Sequence, residues 1–197
     1  MTSSFQRLKE LCFKHTPRFE HALDMGCAVP CRLGLGAKGL RGQVGGLSYL
    51  LSESFEHVTG VDSSKSFIDA CCTLQRRFVP YLFASEPFSA KLPRHARPDR
   101  CSFACCDALT WMQKGGRYDL ILACNLLCCL RKPSCWLQQL PSSVTPLGVV
   151  VLVTPYAWLP AFTSHQDWLG PDATGSSERL SEIMTRPPAT SRFHMFS

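Results

Sequence analysis

Four polar side chains stand at the ends of short apolar runs that each predict a β-strand. Asp24 lies in ALDMG, Asp62 ends HVTGVD, Asp107 follows FACC and Asn125 follows LILAC. A carboxylate is an acceptor-only group, and one carboxylate at a strand tip can accept both hydroxyls of a ribose. A second carboxylate after the next strand suits the exocyclic amine of adenine. The pattern predicts a site for an adenosine-containing ligand, although an aspartate at a strand end is also a common helix cap.

These residues need a scaffold, and the sequence predicts one, because short apolar runs alternate with helical periods. The runs predict strands at residues 22–25, 57–61, 102–106, 118–124 and 149–154. The helical periods predict helices at 1–15, 46–54, 65–78, 108–113 and 133–140. In a parallel sheet the carboxyl ends of the strands meet at one edge, so the four polar residues should converge there. We therefore expect an α/β, Rossmann-like fold with a mostly parallel five-stranded sheet.

Composition favours one globular domain, since 197 residues with 45% apolar content can bury a sizeable core. The formal net charge is +6, and part of it lies in residues 76–100, where six basic residues stand among four prolines without helical spacing. This segment is interpreted as a solvated loop. A surface that attracts an anion or a nucleic acid is the alternative.

Twelve cysteines could suggest disulfides or zinc, but no Cys-x-x-Cys occurs and the three adjacent pairs lie in apolar segments. Buried, reduced thiols are the preferred interpretation, and no metal site is expected. No secretory signal is recognisable, and the longest apolar run, residues 147–153, is far shorter than the 18 or so residues that span a bilayer. We expect a cytoplasmic protein without a membrane partner.

No GxGxxG follows the first strand directly, and strand-end aspartates without such a loop fit an adenosine that carries no diphosphate. With these features the chain resembles class I S-adenosylmethionine-dependent methyltransferases. The resemblance implies S-adenosylmethionine as cofactor. The implied cofactor-binding residues are Asp24, Gly26, Ala28, Gly45, Asp62, Ser63, Asp107, Ala108 and Asn125.

Four sequence blocks narrow the resemblance: ALDMGCAV, GGLSYLLSESFEHVTGVDSSKSFIDA, NLLCCL and TPYAWLPAFTSHQDWLG. They are similar to the methyltransferase domain of ovothiol-biosynthesis enzymes, over residues 20–29, 45–72 and 101–170. The resemblance implies methyl transfer to an imidazole nitrogen of a small histidine-derived thiol, with Asn125 and Tyr156 as catalytic residues. His165 could accept the released proton, and nucleic acid is not an expected partner. The implied acceptor-binding residues are Tyr156, Trp158, Phe162 and Trp168; a packed lid is the alternative role for these aromatic side chains.

Residues 30–44 interrupt the glycine loop. Joining Val29 to Gly45 would give ALDMGCAVGGLSYLL, an uninterrupted strand, tight turn and helix, so we interpret 30–44 as an inserted, exposed loop. The GLGAKG match at residues 34–39 has neither a preceding strand nor a following helix, and we regard it as coincidental.

The C-terminal part also departs from the resemblance. Class I methyltransferases usually end in a helix and a two-strand hairpin, but residues 171–197 show no pattern for two strands. We expect a methyltransferase-like domain at 1–170, an irregular tail at 171–197, and a fifth strand left at the sheet edge.

Two other functions are the alternatives to methyl transfer. One is a catalytically impaired isoform that acts, if at all, as a binding protein, and the other is a dinucleotide-dependent oxidoreductase.

Overall fold

A computed structural model describes residues 4–16, 18–27, 45–77, 81–83, 86–88, 92–154, 157–169 and 192–196. Their principal feature is a six-stranded sheet in which every neighbouring pair is parallel, in the order β5-β2-β1-β6-β7-β8. The strands are β1 (His21–Met25), β2 (His57–Asp62), β5 (Cys101–Cys105), β6 (Tyr118–Cys124), β7 (Val144–Val153) and β8 (Arg192–Phe196), while β3 (Tyr81–Phe83) and β4 (Glu86–Phe88) form a separate hairpin. All five predicted strands are present, and the predicted α/β fold is confirmed.

In the described part of the chain, five helices flank the sheet close to the predicted positions. They are α1 (Ser4–His15), α2 (Gly46–Leu51), α3 (Lys65–Arg77), α4 (Ala108–Gln113) and α5 (Pro133–Ser143). Helix α2 ends earlier than expected because the hydrogen bonds tighten to turn geometry after Ser52, with Glu53 N donating to Leu50 O and Ser54 N to Leu51 O. Three short 3-10 turns complete the described structure, at Pro98–Arg100, Leu127–Cys129 and His165–Asp167.

The core lies on both faces of the sheet, since successive strand residues point to opposite sides. On one face Leu23 and Ile121 pack in a cluster with Trp136 of α5. On the other face Leu120 and Leu122 pack in a second cluster, which also holds Leu8 of α1 and Leu47 of α2. Burial on both sides explains why β6 and β7 are nearly continuous apolar runs rather than alternating ones.

The expectation that the fifth predicted strand forms the sheet edge is wrong. Strand β8 pairs in parallel with that strand, β7, from Val149↔Arg192 to Val153↔Phe196. Pairing satisfies a row of backbone N–H and C=O groups that an edge strand leaves open. Residues 192–196 are therefore not an irregular tail, whereas residues 170–191 lie outside the described part of the chain.

The segment 76–100 is also more structured than the predicted loop. Strands β3 and β4 pair as an antiparallel hairpin, and Pro98–Arg100 form a 3-10 turn. The side chain of Gln75 ties this turn to the sheet by donating to Pro98 O at 2.7 Å and to Cys101 O at 2.8 Å. Local composition favoured a loop, but these two hydrogen bonds hold the C-terminal end of the segment 76–100 in place.

Candidate functional site

The predicted site residues gather at the carboxyl edge of four adjacent strands, β5, β2, β1 and β6. Backbone hydrogen bonds fasten the strand ends to one another: Gly26 N donates to Val61 O at 2.7 Å, and Cys106 N donates to Asp62 O at 2.9 Å. Strand β1 has β2 on one side and β6 on the other, so the chain changes direction across the sheet at β1. A ligand site in such folds lies at this switch in strand order.

The turn after β1 is built on two glycines in left-handed conformation. Gly26 has φ of 76° and Gly45 has φ of 72°, a region in which a side chain is strained. Gly45 N donates to Cys27 O at 3.1 Å, so the chain re-enters the site at the point where it left. Helix α2 then begins at Gly46, as predicted. Ala28 and the predicted insertion at 30–44 lie outside the described residues.

Asp24 is buried beneath this turn, with an exposed fraction of 1%. The hydroxyl of Ser48, on α2, donates to Asp24 Oδ2 at 2.6 Å. Burial is the main cause that raises the pKa of Asp24 to about 7; the Ser48 hydrogen bonds oppose this shift and the charge of Asp62 adds to it. Asp24 therefore lies beneath the predicted site, with its carboxyl group buried and hydrogen-bonded to Ser48.

Asp62 stands at the tip of β2, where the sequence placed it, and is 7% exposed. Its Oδ1 accepts a hydrogen bond from Ser64 N at 2.8 Å, which fixes the carboxylate just before α3. Ser63, its predicted partner, is exposed beside it. A fixed, acceptor-only group at this position suits a pair of ribose hydroxyls.

Asp107 and Ala108 lie at the start of α4, and Asp107 caps the helix. Its Oδ1 accepts hydrogen bonds from Leu109 N and Thr110 N, both at 3.0 Å. The alternative role considered for a strand-end aspartate, a helix cap, is thus occupied here. Asp107 remains at the predicted edge and is partly accessible to solvent, and Ala108 is buried.

Asn125 ends β6 in an uncommon left-handed conformation, with φ of 55°. Asn125 N donates to Val153 O at 2.7 Å, so its backbone is held by β7. Non-glycine residues in this region often mark functional positions, because the surrounding structure must maintain the strain.

The aromatic segment after β7 divides between packing and exposure. Trp158 is buried and stacks on Trp168 with ring centroids 6.5 Å apart, and Trp168 contacts the ring of His165 at 4.1 Å. Phe162 is 50% exposed. Tyr156, the fourth predicted aromatic residue, lies outside the described residues. Two of the four side chains therefore pack as a lid would, and the exposed Phe162 is available to a ligand.

A buried hydroxyl fixes this segment to the end of β6. Thr163 is fully buried, and its Oγ1 donates to Leu130 O at 2.7 Å and to Cys128 O at 3.2 Å. On the surface, Lys132 Nζ lies 2.9 Å from Asp167 Oδ2. The aromatic segment is thus held next to the turn that follows Asn125.

Ser48 and Cys129 were missed by the sequence reasoning. Ser48 follows the glycine pair at the start of α2, and a hydroxyl in this place could have indicated a hydrogen-bond partner for Asp24. Cys129 is exposed in the 3-10 turn that follows Asn125, and the block NLLCCL gave no sign of which of its thiols would face solvent.

The cysteines of the described part of the chain are less uniformly buried than expected. All eleven cysteines in the described part of the chain are free thiols, and Cys105, Cys129 and Cys135 are exposed. Neighbouring residues on a helix or strand point in different directions, so an adjacent pair rarely buries both members. The described residues contain no group of three or more metal-ligating side chains, and none of their helices is long and apolar enough to cross a membrane.

Comparison with solved structures shows which proteins share this arrangement. An S-adenosylmethionine-dependent methyltransferase from Clostridium acetobutylicum superposes with a TM-score of 0.50 at 16% identity, covering 75% of this chain and 48% of that one. DesVI from Streptomyces venezuelae superposes with a TM-score of 0.51 at 12% identity, and the match covers 79% of this chain and 52% of the DesVI chain. The chain has a class I methyltransferase fold.

At these identities the likeness establishes the fold alone. The chain spans about half the length of each of the two solved structures. Its sequence matches no model of a known protein family and no curated protein.

Proposed function

We propose that the chain binds S-adenosylmethionine at the carboxyl edge of β2, β1 and β6 and transfers its methyl group to a small molecule. The observation that carries this proposal is the fixed carboxylate of Asp62 at the tip of β2, next to the glycine turn of Gly26. This fold places cofactors at that edge. The fold shared with a methyltransferase supports the proposal.

The residues present fit an adenosine group. Asp62 offers acceptors for the ribose hydroxyls, and Asp107 offers a carboxylate towards the adenine amine, with Ala108 beside it. A Cβ on Gly26 would lie 3.2 Å from Leu126 Cδ1, so this turn has room for backbone but little for a side chain. The missing side chain at Gly26 therefore lets Leu126 pack against the turn.

When bound, S-adenosylmethionine supplies an electrophilic methyl group on a sulfonium. The protein's part in such a displacement is to align the acceptor and to keep water out. Asn125, held in its strained conformation by Val153, would orient the acceptor together with Tyr156. The packed pair Trp158 and Trp168 would exclude water from one side.

We further propose that the acceptor is a small histidine-derived thiol, methylated on an imidazole nitrogen. The support is the resemblance of residues 101–170 to ovothiol-biosynthesis methyltransferases. A neutral imidazole nitrogen already carries a lone pair, so the reaction needs no strong base. His165 is exposed at the aromatic segment, where it could take up the released proton.

The test is turnover with S-adenosylmethionine and three acceptors: a mercaptohistidine, a histidine-containing peptide and an RNA. We expect methylation of the mercaptohistidine alone, detected by mass spectrometry as the gain of one methyl group. Phe162→Ala should raise KM for this acceptor, whereas Leu147→Ala, an equally exposed apolar residue on β7, should not. Methylation of the peptide or the RNA without turnover of the small thiol contradicts the acceptor assignment.

A second candidate, an impaired chain that binds cofactor weakly, is favoured by one observation. The donors of the glycine turn are used internally: Gly26 N and Cys27 N both donate to Val61 O, and Gly45 N donates to Cys27 O. A helix start normally presents such N–H groups to a ligand. Proline at position 30 has no N–H to offer.

Deletion of residues 30–44 separates the two candidates. Because Gly45 N already lies 3.1 Å from Cys27 O, the chain ends on either side are close enough to rejoin. If the insertion impairs the site, deletion should tighten S-adenosylmethionine binding, measured by calorimetry, with little change in stability. Unchanged or weaker binding means that the segment belongs to the site.

Titration with NAD in the same experiment tests the oxidoreductase alternative, for which NAD should bind instead of S-adenosylmethionine.

A further inference from the structure

Two histidines lie side by side at the amino edge of the sheet, at the opposite end of β1 and β2 from the proposed cofactor site. His21 begins β1 and His57 begins β2, and the two residues are register partners in this parallel pair. Their imidazole rings are stacked, with centroids 5.0 Å apart and an interplanar angle of 17°. Both residues are exposed. The pair therefore offers two neighbouring nitrogen ligands on the surface.

Hydrogen bonds hold the backbone of both histidines. His57 N donates to Glu20 O at 2.8 Å, which joins the two strands at this end. On the other side of β1, His21 N donates to Asp119 Oδ2 at 3.1 Å. Asp119 is buried, and its Oδ1 accepts a hydrogen bond from Thr145 Oγ1 at 2.8 Å. The backbone thus fixes where both side chains start, and only the torsions of the two exposed rings are left to adjust.

Paired imidazoles suit one class of ligand. Neutral imidazole is the commonest metal ligand in proteins, and it suits divalent ions of nickel, copper and zinc, whereas Mg²⁺ and Ca²⁺ prefer oxygen. A metal–nitrogen distance of about 2.0–2.1 Å places two nitrogens at neighbouring coordination positions about 3 Å apart. The stacked centroids are 5.0 Å apart, so the rings must tilt towards each other, and their exposure leaves room for this rotation.

We propose that His21 and His57 form a two-nitrogen site for a divalent late-transition-metal ion, which links the amino ends of β1 and β2. This inference goes beyond the proposed function and does not depend on it. The described residues contain no group of three or more metal-ligating side chains, so water completes the coordination sphere. The sequence gave no signal of this site, because the two histidines meet only when β1 and β2 pair.

Calorimetry with NiCl₂ on the full, reduced chain near neutral pH tests the site. Ni²⁺ is the probe because, unlike Cu²⁺, it does not oxidise thiols. We expect binding of one Ni²⁺, which His21→Gln and His57→Gln should each weaken at least about tenfold, since either change leaves one nitrogen and removes the gain from intramolecular chelation. The double variant measures the background from exposed thiols. His165→Gln is the matched control, because His165 is an exposed histidine on the segment after β7 and should not affect this site.

Thermal unfolding distinguishes an ion that links two strands from an ion on a single ring. An ion that needs both folded strands stabilises the native state, so Ni²⁺ should raise the melting temperature of the unchanged chain and of His165→Gln. It should raise that of His21→Gln and His57→Gln much less. Addition of EDTA should reverse the increase.

Three results overturn the proposal: no Ni²⁺ binding above the background of the double variant, equal affinity in either single variant, or an equal loss of affinity in His165→Gln. Both substituted side chains are exposed, and glutamine keeps the backbone N–H that His21 donates to Asp119, so folding should be unchanged. Circular dichroism checks this.

Discussion

At the residue scale, the two aspartates nearest the glycine turn have different environments. Asp62 could be located from sequence, because it directly ends a recognisable strand and its position follows from the strand alone. The burial of Asp24 and its hydrogen bond with Ser48 could not, since α2 and β1 meet only in the folded chain. The capping role of Asp107 was the alternative that the sequence offered for a strand-end aspartate, and its bonds to Leu109 N and Thr110 N show it.

Asp24→Asn should make stability less sensitive to alkaline pH. The pKa of Asp24 rises from an ordinary 3.8 to about 7, so between these values the native state keeps a proton that the unfolded state releases. The contribution of this carboxyl group to stability therefore falls as pH rises through that window. Between pH 5 and pH 8 we expect the variant to gain about 2–3 kcal/mol relative to the unchanged chain, since one pKa unit corresponds to about 1.4 kcal/mol.

Urea unfolding at the two pH values measures this difference. Asp69→Asn is the control, because Asp69 is exposed and bonded to Lys65 on the surface of α3. A stability difference between Asp24→Asn and the unchanged chain that does not vary with pH would contradict the buried, partly protonated carboxyl group.

At the element scale, the order of strands and helices was predictable because burial on both faces leaves long apolar runs and clear helical periods. The glycine pair also located the start of α2 correctly. The hairpin of β3 and β4 was missed, since each strand has three residues, too few for a period to be recognised. The closure of the turn, from Gly45 N to Cys27 O, joins the two chain segments that the sequence placed on either side of residues 30–44, but the hydrogen bond itself had no sequence signal.

Gly45→Ala should destabilise the domain more than Gly115→Ala does. Both glycines have φ of 72°, so both substitutions carry the left-handed strain of roughly 1–2 kcal/mol. At Gly45 the added Cβ would also lie 3.0 Å from Cys71 Sγ and 3.3 Å from Phe103 Cε1, whereas at Gly115 nothing lies within 4 Å. We expect Gly45→Ala to cost at least about 1 kcal/mol more in the free energy of unfolding, by overpacking. Equal losses of stability in the two variants, measured by urea unfolding, would show that the turn accommodates the added Cβ of Gly45→Ala without overpacking.

At the scale of the whole molecule, the sheet is completed by residues far from the rest of the domain in sequence. Strand β8 has five residues, a length at which residue types favour a strand only weakly, and its partner β7 is remote along the chain. The sequence therefore predicted the five strands of the central sheet but not the strand that covers its edge. Long-range pairing of this kind follows from the open edge of β7, not from local propensity.

Removing residues 192–197 should expose that edge. The β7 residues Val149 to Leu152 are buried, and unpaired strand edges beside such residues favour association between chains. We expect a lower melting temperature and association that increases with protein concentration, measured by thermal unfolding and light scattering. A chain that lacks only Ser197 is the control. A truncated chain that remains monomeric with unchanged stability would contradict the role of β8.

Isothermal calorimetry measures whether S-adenosylmethionine binds at the carboxyl edge through Asp62. We predict binding of one S-adenosylmethionine per chain, and binding at least about tenfold weaker in Asp62→Asn, since a charge-assisted hydrogen bond contributes about 1.5–3 kcal/mol. Asparagine retains an acceptor for Ser64 N, so the local fold should persist, and Asp69→Asn should bind like the unchanged chain. Absence of binding, or equal affinity in a folded Asp62→Asn variant, would contradict the proposed binding of S-adenosylmethionine through Asp62.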